Sequence, residues 1–271
     1  MEKEKLEAIK LWTNDPCGAI YAEKYGIGSK GFFKEAMSYR CEIYAPWLRR
    51  LNDGLDVSGK KVLEIGCGMG MDLLQFAKKG AKVVGVDLVP RHIKLANRLF
   101  EIEKINFEDY KIFLADAESL PFNDMSFNFV YSFGVLHHTP NIEKAINEIW
   151  RVLKPGGRIV IGLYHKNSWH YWFNLFFVKG IIKRELNKST MAQVLSQTEF
   201  TRSGIKPLVR VYSRRECLRL FKKFIDLRIK TFHFTNKQIP RVGDFLPKNL
   251  SLFSFLGWYV FVFGSKVTSK R

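Results

Sequence analysis

The sequence predicts an α/β fold with a doubly wound, mostly parallel sheet, and two observations support this prediction. Short apolar runs alternate with amphipathic stretches through the middle of the chain, as strands that are each followed by a helix require. The first run, residues 62–65, ends in Gly66, Gly68 and Gly70. Glycines so spaced allow positive φ and let a ligand approach the backbone where the helix predicted over residues 71–79 begins.

Composition limits the class of protein. The 271 residues suit one domain with an elaboration, and the four cysteines form no C-x-x-C pair, so neither a disulfide framework nor a metal site is expected. The charged N-terminal residues carry no signal-peptide pattern. The longest uncharged run, Asn249 to Ser265, has 17 residues, fewer than the ~20 that a membrane-spanning helix needs. We therefore expect a cytoplasmic protein without a transmembrane helix.

The positive charge is concentrated in the C-terminal portion. Residues 1–160 hold 23 Lys and Arg against 21 Asp and Glu, whereas residues 161–271 hold 21 against 5. A balanced core with a basic appendage indicates an anionic partner such as nucleic acid, a phospholipid surface or an acidic substrate. A solvated basic face is the alternative.

The elements after the glycine loop follow in order. The second strand ends at Asp87, which stands 21 positions after Gly66, about the spacing expected of a carboxylate that accepts hydrogen bonds from ribose hydroxyls. An N-cap for the helix predicted over residues 90–105 is the other interpretation of Asp87. Strands are predicted over residues 110–115, 126–132 and 158–163, with a helix over 142–153 capped by Asn141.

Four motifs in this order resemble the class I S-adenosylmethionine-dependent methyltransferases, in particular the ubiquinone and menaquinone biosynthesis group. They are E-I-G-C-G-M-G at 64–70, A-D-A-E-S-L-P-F at 115–122, the His pair at 137–138 and R-V-L-K-P-G-G at 151–157. The resemblance implies a Rossmann-like sheet of seven strands, the last antiparallel. The sixth and seventh strands are then predicted within 224–234 and 257–263.

The resemblance also implies the cofactor, S-adenosylmethionine, and the residues that bind it. In this family the Asp of the second motif meets the adenine amino group and the next amide meets the ring, which here are Asp116 and Ala117. The segment from Ser132 to His138 borders the methyl-transfer site because ligands bind beyond the carboxyl ends of such strands. The predicted cofactor-binding residues are Glu64, Gly66, Cys67, Gly68, Gly70, Asp87, Leu88, Asp116, Ala117, Ser132, Phe133 and His137.

The two histidines allow two interpretations. With an unperturbed pKa near ~6.5, His138 could take a proton from a hydroxyl or amine acceptor during methyl transfer. Because the pair recurs across this family whatever the acceptor, packing beside the cofactor is the alternative for both. His137 is predicted to neighbour the cofactor pocket, and no third residue follows at metal-site spacing.

The regions outside the core are predicted to contact the acceptor. Residues 1–57 are predicted as an N-terminal helical lid, 58–163 as the core, 164–212 as an aromatic and basic insertion, and 213–271 as a helix with the last two strands. The aromatic insertion suits a membrane interface, a cover over a lipophilic acceptor or a buried helix. Candidate substrate contacts, with packing as the alternative for each, are Tyr21, Tyr39, Arg40, Tyr44 and Trp169.

Three functions are consistent with these features. The first is methyl transfer to a small or lipophilic acceptor by in-line displacement, with peripheral membrane contact through the basic portion as an option. The second is methylation of RNA such as tRNA, with the same basic portion following phosphates. The third is a non-catalytic protein that only binds S-adenosylmethionine.

Overall fold

The computed structural model describes residues 2–16, 18–199, 204–239 and 251–268, and a seven-stranded sheet organises them. The strand order is β3-β2-β1-β4-β5-β7-β6. Strands β1 to β5 run parallel, and β7 is antiparallel to both of its neighbours. The strands are β1 (Lys61–Ile65), β2 (Lys82–Asp87), β3 (Tyr110–Leu114), β4 (Phe127–Phe133), β5 (Leu153–Tyr164), β6 (Ile225–Phe232) and β7 (Tyr259–Ser265).

Helices cover both faces of the sheet. They are α1 (Lys3–Asn14), α2 (Lys30–Ser38), α3 (Pro46–Asp53), α4 (Met71–Lys78), α5 (Pro90–Ile102), α6 (Ile142–Val152), α7 (Met191–Ser196) and α8 (Arg214–Leu220). Two π-helices span Tyr39–Tyr44 and His170–Ile182. Short 3₁₀ turns span Ala19–Tyr21, Glu23–Tyr25, Phe107–Asp109, Leu136–His138, Glu185–Asn187, Asn236–Gln238 and Ser251–Leu256.

Two apolar clusters hold the layers together, one on each face of the sheet. The first joins residues of the N-terminal helices to α4, α5 and the sheet, with Phe32, Phe76 and Tyr131 fully buried. The second packs α6 and α8 against the opposite face through residues such as Ile149 and Phe221. The predicted fold class is confirmed, including the antiparallel last strand.

Local signals also predicted the helix starts. The Asn141 side chain accepts the Lys144 amide, and Ser213 and Glu216 form the capping box that starts α8. The ends of the observed helices and strands differ from the predicted ends by a few residues. Strand β5 begins at Leu153, five residues before the predicted start, because Leu153 pairs with Phe127 ahead of an irregularity in the β4–β5 ladder. Among the described residues, no helix combines the length and apolarity that crossing a membrane requires.

Candidate functional site

A cavity of about 220 Å³ opens at the carboxyl ends of β1, β2 and β4, and its first wall is the glycine loop. Gly66, Gly68 and Gly70 have φ of 72°, 52° and 80°, in the left-handed region that favours glycine. A Cβ on Gly66 would lie 2.1 Å from a Val135 methyl, whereas a Cβ on Gly68 would have no atom within 4 Å. Gly66 therefore permits close packing, and Gly68 leaves room inside the cavity.

Asp87 ties the end of β2 to this loop. Its Oδ2 accepts the Gly68 amide at 2.9 Å, and its Oδ1 accepts the Val89 amide at 2.9 Å and lies 3.2 Å from His92 Nδ1. Leu88 lies on the cavity wall between these partners. Asp87 thus shapes the loop and the turn that leads into α5, and it lines the cavity. The alternative role as N-cap is wrong, because the N-cap residue of α5 is Val89, and the ribose-binding role stays a prediction.

Glu64 gives the cavity a buried carboxyl group. Burial, and then the nearby Asp72 carboxylate, raise the pKa of Glu64 well above its usual range. Its Oε2 has no hydrogen-bond partner among the described residues. Arg40 pairs with Asp72 at 2.5 Å and borders the same space. A cationic ligand group would satisfy Glu64, because an unpaired buried acceptor costs free energy until a donor or a cation reaches it.

Asp116 is held by the N-terminal helix. Lys5 Nζ on α1 lies 2.8 Å from Asp116 Oδ2 and 2.7 Å from Glu118 Oε2, and the Lys5 side chain is only 10% exposed. The two carboxylates outweigh burial and raise the pKa of Lys5 above its usual range. Asp116 Oδ1 accepts the Glu118 amide, and Glu118 Oε1 accepts the Asn141 amide. Lys5 and Ala117 line the cavity, so α1 closes over the predicted adenine position.

Aromatic side chains make up much of the remaining cavity lining, together with smaller apolar residues such as Ile9 and Val135. Trp12, Tyr44, Phe133, Tyr164 and Tyr259 line it, and we call these five residues the acceptor wall. The Tyr44 and Tyr259 hydroxyls hydrogen-bond to each other, and the Phe133 ring lies 4.8 Å from the Tyr259 ring in an edge contact. The cavity therefore has two chemically different halves. The glycine loop, Glu64 and Asp87 form the cofactor half, and the acceptor wall forms the other.

One polar group interrupts the acceptor wall. His138 Nδ1 lies 2.7 Å from the Leu208 carbonyl oxygen and donates its hydrogen to it, so Nε2 carries the lone pair of the neutral ring. That Nε2 lies 3.6 Å from Glu199 Oε1, which also accepts the Tyr164 hydroxyl at 2.6 Å. Burial, followed by Glu199, raises the pKa of Tyr164 well above its usual range. His138 Nε2 and Glu199 together can receive a proton or orient a hydroxyl group.

His137 lies behind this pair rather than on the cavity surface. Its ring is fully buried 3.8 Å from the Tyr164 ring, and burial lowers its pKa well below the usual value. His137, His138 and Glu199 each offer a ligand atom, and these atoms lie within 4.8 Å of one another. A Zn²⁺ ion with bonds of about 2 Å needs ligand atoms roughly 3.3 Å apart. The three side chains would have to converge further to hold an ion.

Several other predicted residues also lie off the cavity surface. Ser132 donates its hydroxyl hydrogen to the Ile65 carbonyl and is fully buried. Gly70 begins α4, where a Cβ would lie 3.1 Å from Ala96. Tyr21 and Tyr39 stack on each other with centroids 3.6 Å apart, and the Trp169 indole donates to the Gln238 carbonyl. The predicted residues that line the cavity are Glu64, Gly66, Cys67, Gly68, Asp87, Leu88, Ala117, Phe133, His138, Arg40 and Tyr44.

Some cavity residues had no sequence signal. Lys5 stands in a charged N-terminal run, and Glu199 in a polar stretch without a motif. Trp12 follows Leu6 and Ile9 at three-residue spacing, which predicts a helix but no ligand contact. Tyr164 follows the predicted fifth strand directly, so the rule that ligands bind beyond strand ends could have identified it.

Comparisons with known proteins point to methyltransferases. Residues 63–161 match a family model described as a methyltransferase domain. A methyltransferase from Synechocystis (sll0829) is 33% identical over 150 residues, which cover 53% of this chain and 68% of that protein. The sterol 4-C-methyltransferase strm-1 of Caenorhabditis elegans is 39% identical over 99 residues, 36% of this chain. The chain spans only 29% of that sterol enzyme's length.

A solved structure matches nearly the whole chain. It is described as a complex between the Haloferax volcanii Trm112 methyltransferase activator and a protein assigned as a methyltransferase. The two structures superpose with a TM-score of 0.57 at 17% identity, covering 96% of this chain and 99% of the other. At this identity the likeness is evidence for the fold alone.

Proposed function

The chain belongs to the class I S-adenosylmethionine-dependent methyltransferases, and from this premise we propose that it methylates a lipophilic acceptor bound against the acceptor wall. The observation that supports this acceptor class is the division of one cavity into a polar cofactor half and an aromatic half. An aromatic wall favours an apolar acceptor because burying apolar surface stabilises the complex. The similarity to a sterol methyltransferase is consistent with this class.

The residues of the cofactor half suit S-adenosylmethionine. The unpartnered Glu64 carboxyl oxygen offers a place for a positively charged group, and Asp87 offers a carboxylate for ribose hydroxyls. Gly68 and Gly134 both have positive φ, line the cavity and leave open space where a Cβ would stand. A bulky cofactor can therefore lie directly against the backbone.

The chain's own residues have a limited task in this reaction. The bound cofactor supplies a sulfonium methyl group that is already activated, so the protein mainly aligns the acceptor and excludes water. In this proposal the acceptor wall orients the apolar body, and His138 Nε2 with Glu199 receives the acceptor's polar atom. His138 takes the proton that the acceptor loses, and Tyr164 holds Glu199 in position.

One experiment tests both halves. Titration calorimetry with S-adenosylhomocysteine compares the intact protein with Asp87→Ala and Tyr164→Phe, and a labelled-methyl assay follows turnover with sterols, quinols and tRNA. We expect Asp87→Ala to weaken binding about tenfold to a hundredfold because two loop amides lose their acceptor. We expect Tyr164→Phe to bind normally and to turn over about tenfold more slowly. A Tyr164→Phe enzyme as active as the intact one would contradict the role of the Tyr164 hydroxyl in positioning Glu199.

RNA methylation is a second candidate function, and one observation favours it. An open groove of about 1540 Å³ runs beneath α3 and along β6, and its lining includes the exposed cations Arg50, Arg158, Arg228 and Lys230. Such a groove can follow a phosphate backbone. Salt-dependent retention of tRNA with methyl transfer to it would favour this function over the lipophilic acceptor. Cofactor binding without turnover on any acceptor would favour the non-catalytic alternative.

A further inference from the structure

The π-helix from His170 to Ile182 is mostly apolar, and the protein covers it only in part. Lys179 is its one charged residue, and Leu175 and Gly180 are buried. Four residues are exposed, Trp172, Phe177, Ile181 and Ile182, and the rest are half-buried. A helix that is hydrophobic all round normally lies in a protein core or in a membrane. This helix therefore presents more apolar surface than the described part of the chain covers.

Rings of this helix and of Trp169, the residue before it, form a chain of contacts with rings of the C-terminal segment. Ring centroids lie 4.5 Å apart for Trp169 and Phe173 and 5.8 Å for Phe173 and Phe177. From Trp169 the contacts pass through Phe234 at 6.3 Å to Phe253 at 6.3 Å and then to Phe255 at 6.4 Å. We call these six rings the aromatic strip.

The strip is accessible at both ends. Phe177 is 45% exposed at one end, and Phe253 and Phe255 are 48% and 56% exposed at the other. Ile181 and Ile182 extend it with exposures of 50% and 60%. Between the ends, Phe234 is only 6% exposed and Trp169 and Phe173 are half-buried. The strip is therefore a packed aromatic connection between two exposed apolar patches, and exposed apolar patches of this kind mark an interaction site.

The flanking charge and the side-chain types identify the partner. Lys183 and Arg184 follow the helix directly and are exposed, and the C-terminal portion as a whole is strongly basic. Aromatic rings beside lysines and arginines are typical of helices that lie in the plane of an anionic membrane surface. Ile181 and Ile182 have no aromatic face on which a base could stack, so they favour acyl chains over nucleic acid.

The strip also leads to the acceptor wall. The His170 ring lies 4.8 Å from the Trp258 ring, and Trp258 lies 4.4 Å from the ring of Tyr164. Tyr164 lines the cavity. Aromatic side chains therefore connect the exposed surface to the place where the acceptor binds.

We propose that the aromatic strip docks the protein on an anionic phospholipid bilayer, from which the lipophilic acceptor enters the cavity. The docking proposal is supported by the aromatic strip and the cationic residues beside it. Only the entry of the acceptor from the bilayer depends on the proposed function. The 13-residue helix lies in the membrane interface rather than across the bilayer.

The test is co-sedimentation of the full chain, without cofactor or acceptor, with vesicles of phosphatidylcholine alone or with one-fifth phosphatidylglycerol. We expect binding to the anionic vesicles that weakens as salt rises. Phe177→Ser with Phe255→Ser should lower the partition coefficient about tenfold or more, because both rings are half exposed and would insert. Phe107→Ser is the matched control, since this ring is 74% exposed but lies beside β3, at the other edge of the sheet.

The outcomes separate this inference from the proposed function. Equal binding by the double variant and the intact protein, or no binding to either vesicle, would overturn the docking proposal even if methyl transfer proceeds. A dimer of the intact chain that the double variant loses would instead assign the strip to a second copy. Loss of vesicle binding in the double variant with normal binding of S-adenosylhomocysteine supports docking and shows that the variant is folded.

Discussion

The two halves of the cavity are built in different ways. One continuous stretch, residues 64–89, provides the glycine loop, Glu64 and Asp87. The acceptor wall and its polar group come from α1, the first π-helix, β4, the turn Leu136–His138, β5, residue 199 and β7. In the proposed cofactor half, we expect backbone conformation to contribute much of the recognition. In the proposed acceptor half, we expect side chains brought together by the fold to contribute it. A local motif can therefore specify the first half, while the second depends on the whole tertiary structure.

The largest expected effect comes from glycine substitutions that test the role of backbone conformation in the cofactor half. Gly66→Ala should destabilise the fold by about 3 kcal/mol, because a Cβ there meets Val135 and the residue has positive φ. Gly68→Ala is the matched control, with positive φ but open space. It should fold, and its Cβ should weaken S-adenosylhomocysteine binding about tenfold. Urea denaturation and calorimetry measure the two effects, and a Gly66→Ala protein as stable as Gly68→Ala would contradict the packing role of Gly66.

The second prediction concerns buried histidines beside the acceptor wall. Burial, with a smaller contribution from Lys179, lowers the pKa of His170 to about 4, and burial lowers the pKa of His233 to about 4. The unfolded chain binds these protons near pH ~6.5, so the folded state loses stability as the pH falls from there to about 4. Each histidine should account for up to about 3 kcal/mol.

Urea denaturation of the intact protein and of His170→Phe across this pH range measures the effect. The variant should lose stability less steeply, because it has one proton fewer to bind on unfolding. Identical slopes for the two proteins would show that His170 does not titrate in this way. The acceptor half would then be no more acid-sensitive than the rest of the fold.

The third prediction concerns Lys5, whose ion pairs attach α1, the helix that carries Trp12 of the acceptor wall, to Asp116 and Glu118. Lys5→Met should destabilise the protein by about 1 to 2 kcal/mol, since it leaves Asp116 and Glu118 without their shared cation. It should also speed release of S-adenosylhomocysteine several-fold, because α1 is then less firmly closed over the cavity. Thermal denaturation and stopped-flow dissociation measure both. Lys3→Met is the control, because the Lys3 side chain is 85% exposed and its contact with Glu7 is 3.9 Å long. Equal stability and equal release rates in the two variants would contradict the role of Lys5 in holding α1 over the cavity.

The same contrast explains what the sequence could predict. Alternating apolar runs and glycine spacing predicted the strands, the loop and Asp87, because these signals lie within a few residues of one another. Lys5 and Asp116 form an ion pair although they are 111 positions apart in the sequence. Tyr44 and Tyr259 form a hydrogen bond although they are 215 positions apart. No local periodicity encodes such pairs. His137 illustrates the limit, since its neighbour His138 lines the cavity while its own ring packs behind Tyr164.

The ion pairs of Lys5 have a consequence for the catalytic cycle. With adenine at its predicted place beside Asp116 and Ala117, helix α1 has to be released each time the spent cofactor is exchanged. We therefore expect the breaking of two short ion pairs to be part of every turnover. Enzymes that close in this way are often limited by product departure rather than by chemistry. We therefore expect a burst of methylated product in the first turnover, followed by a slower steady rate that quickens as ionic strength weakens the fastening.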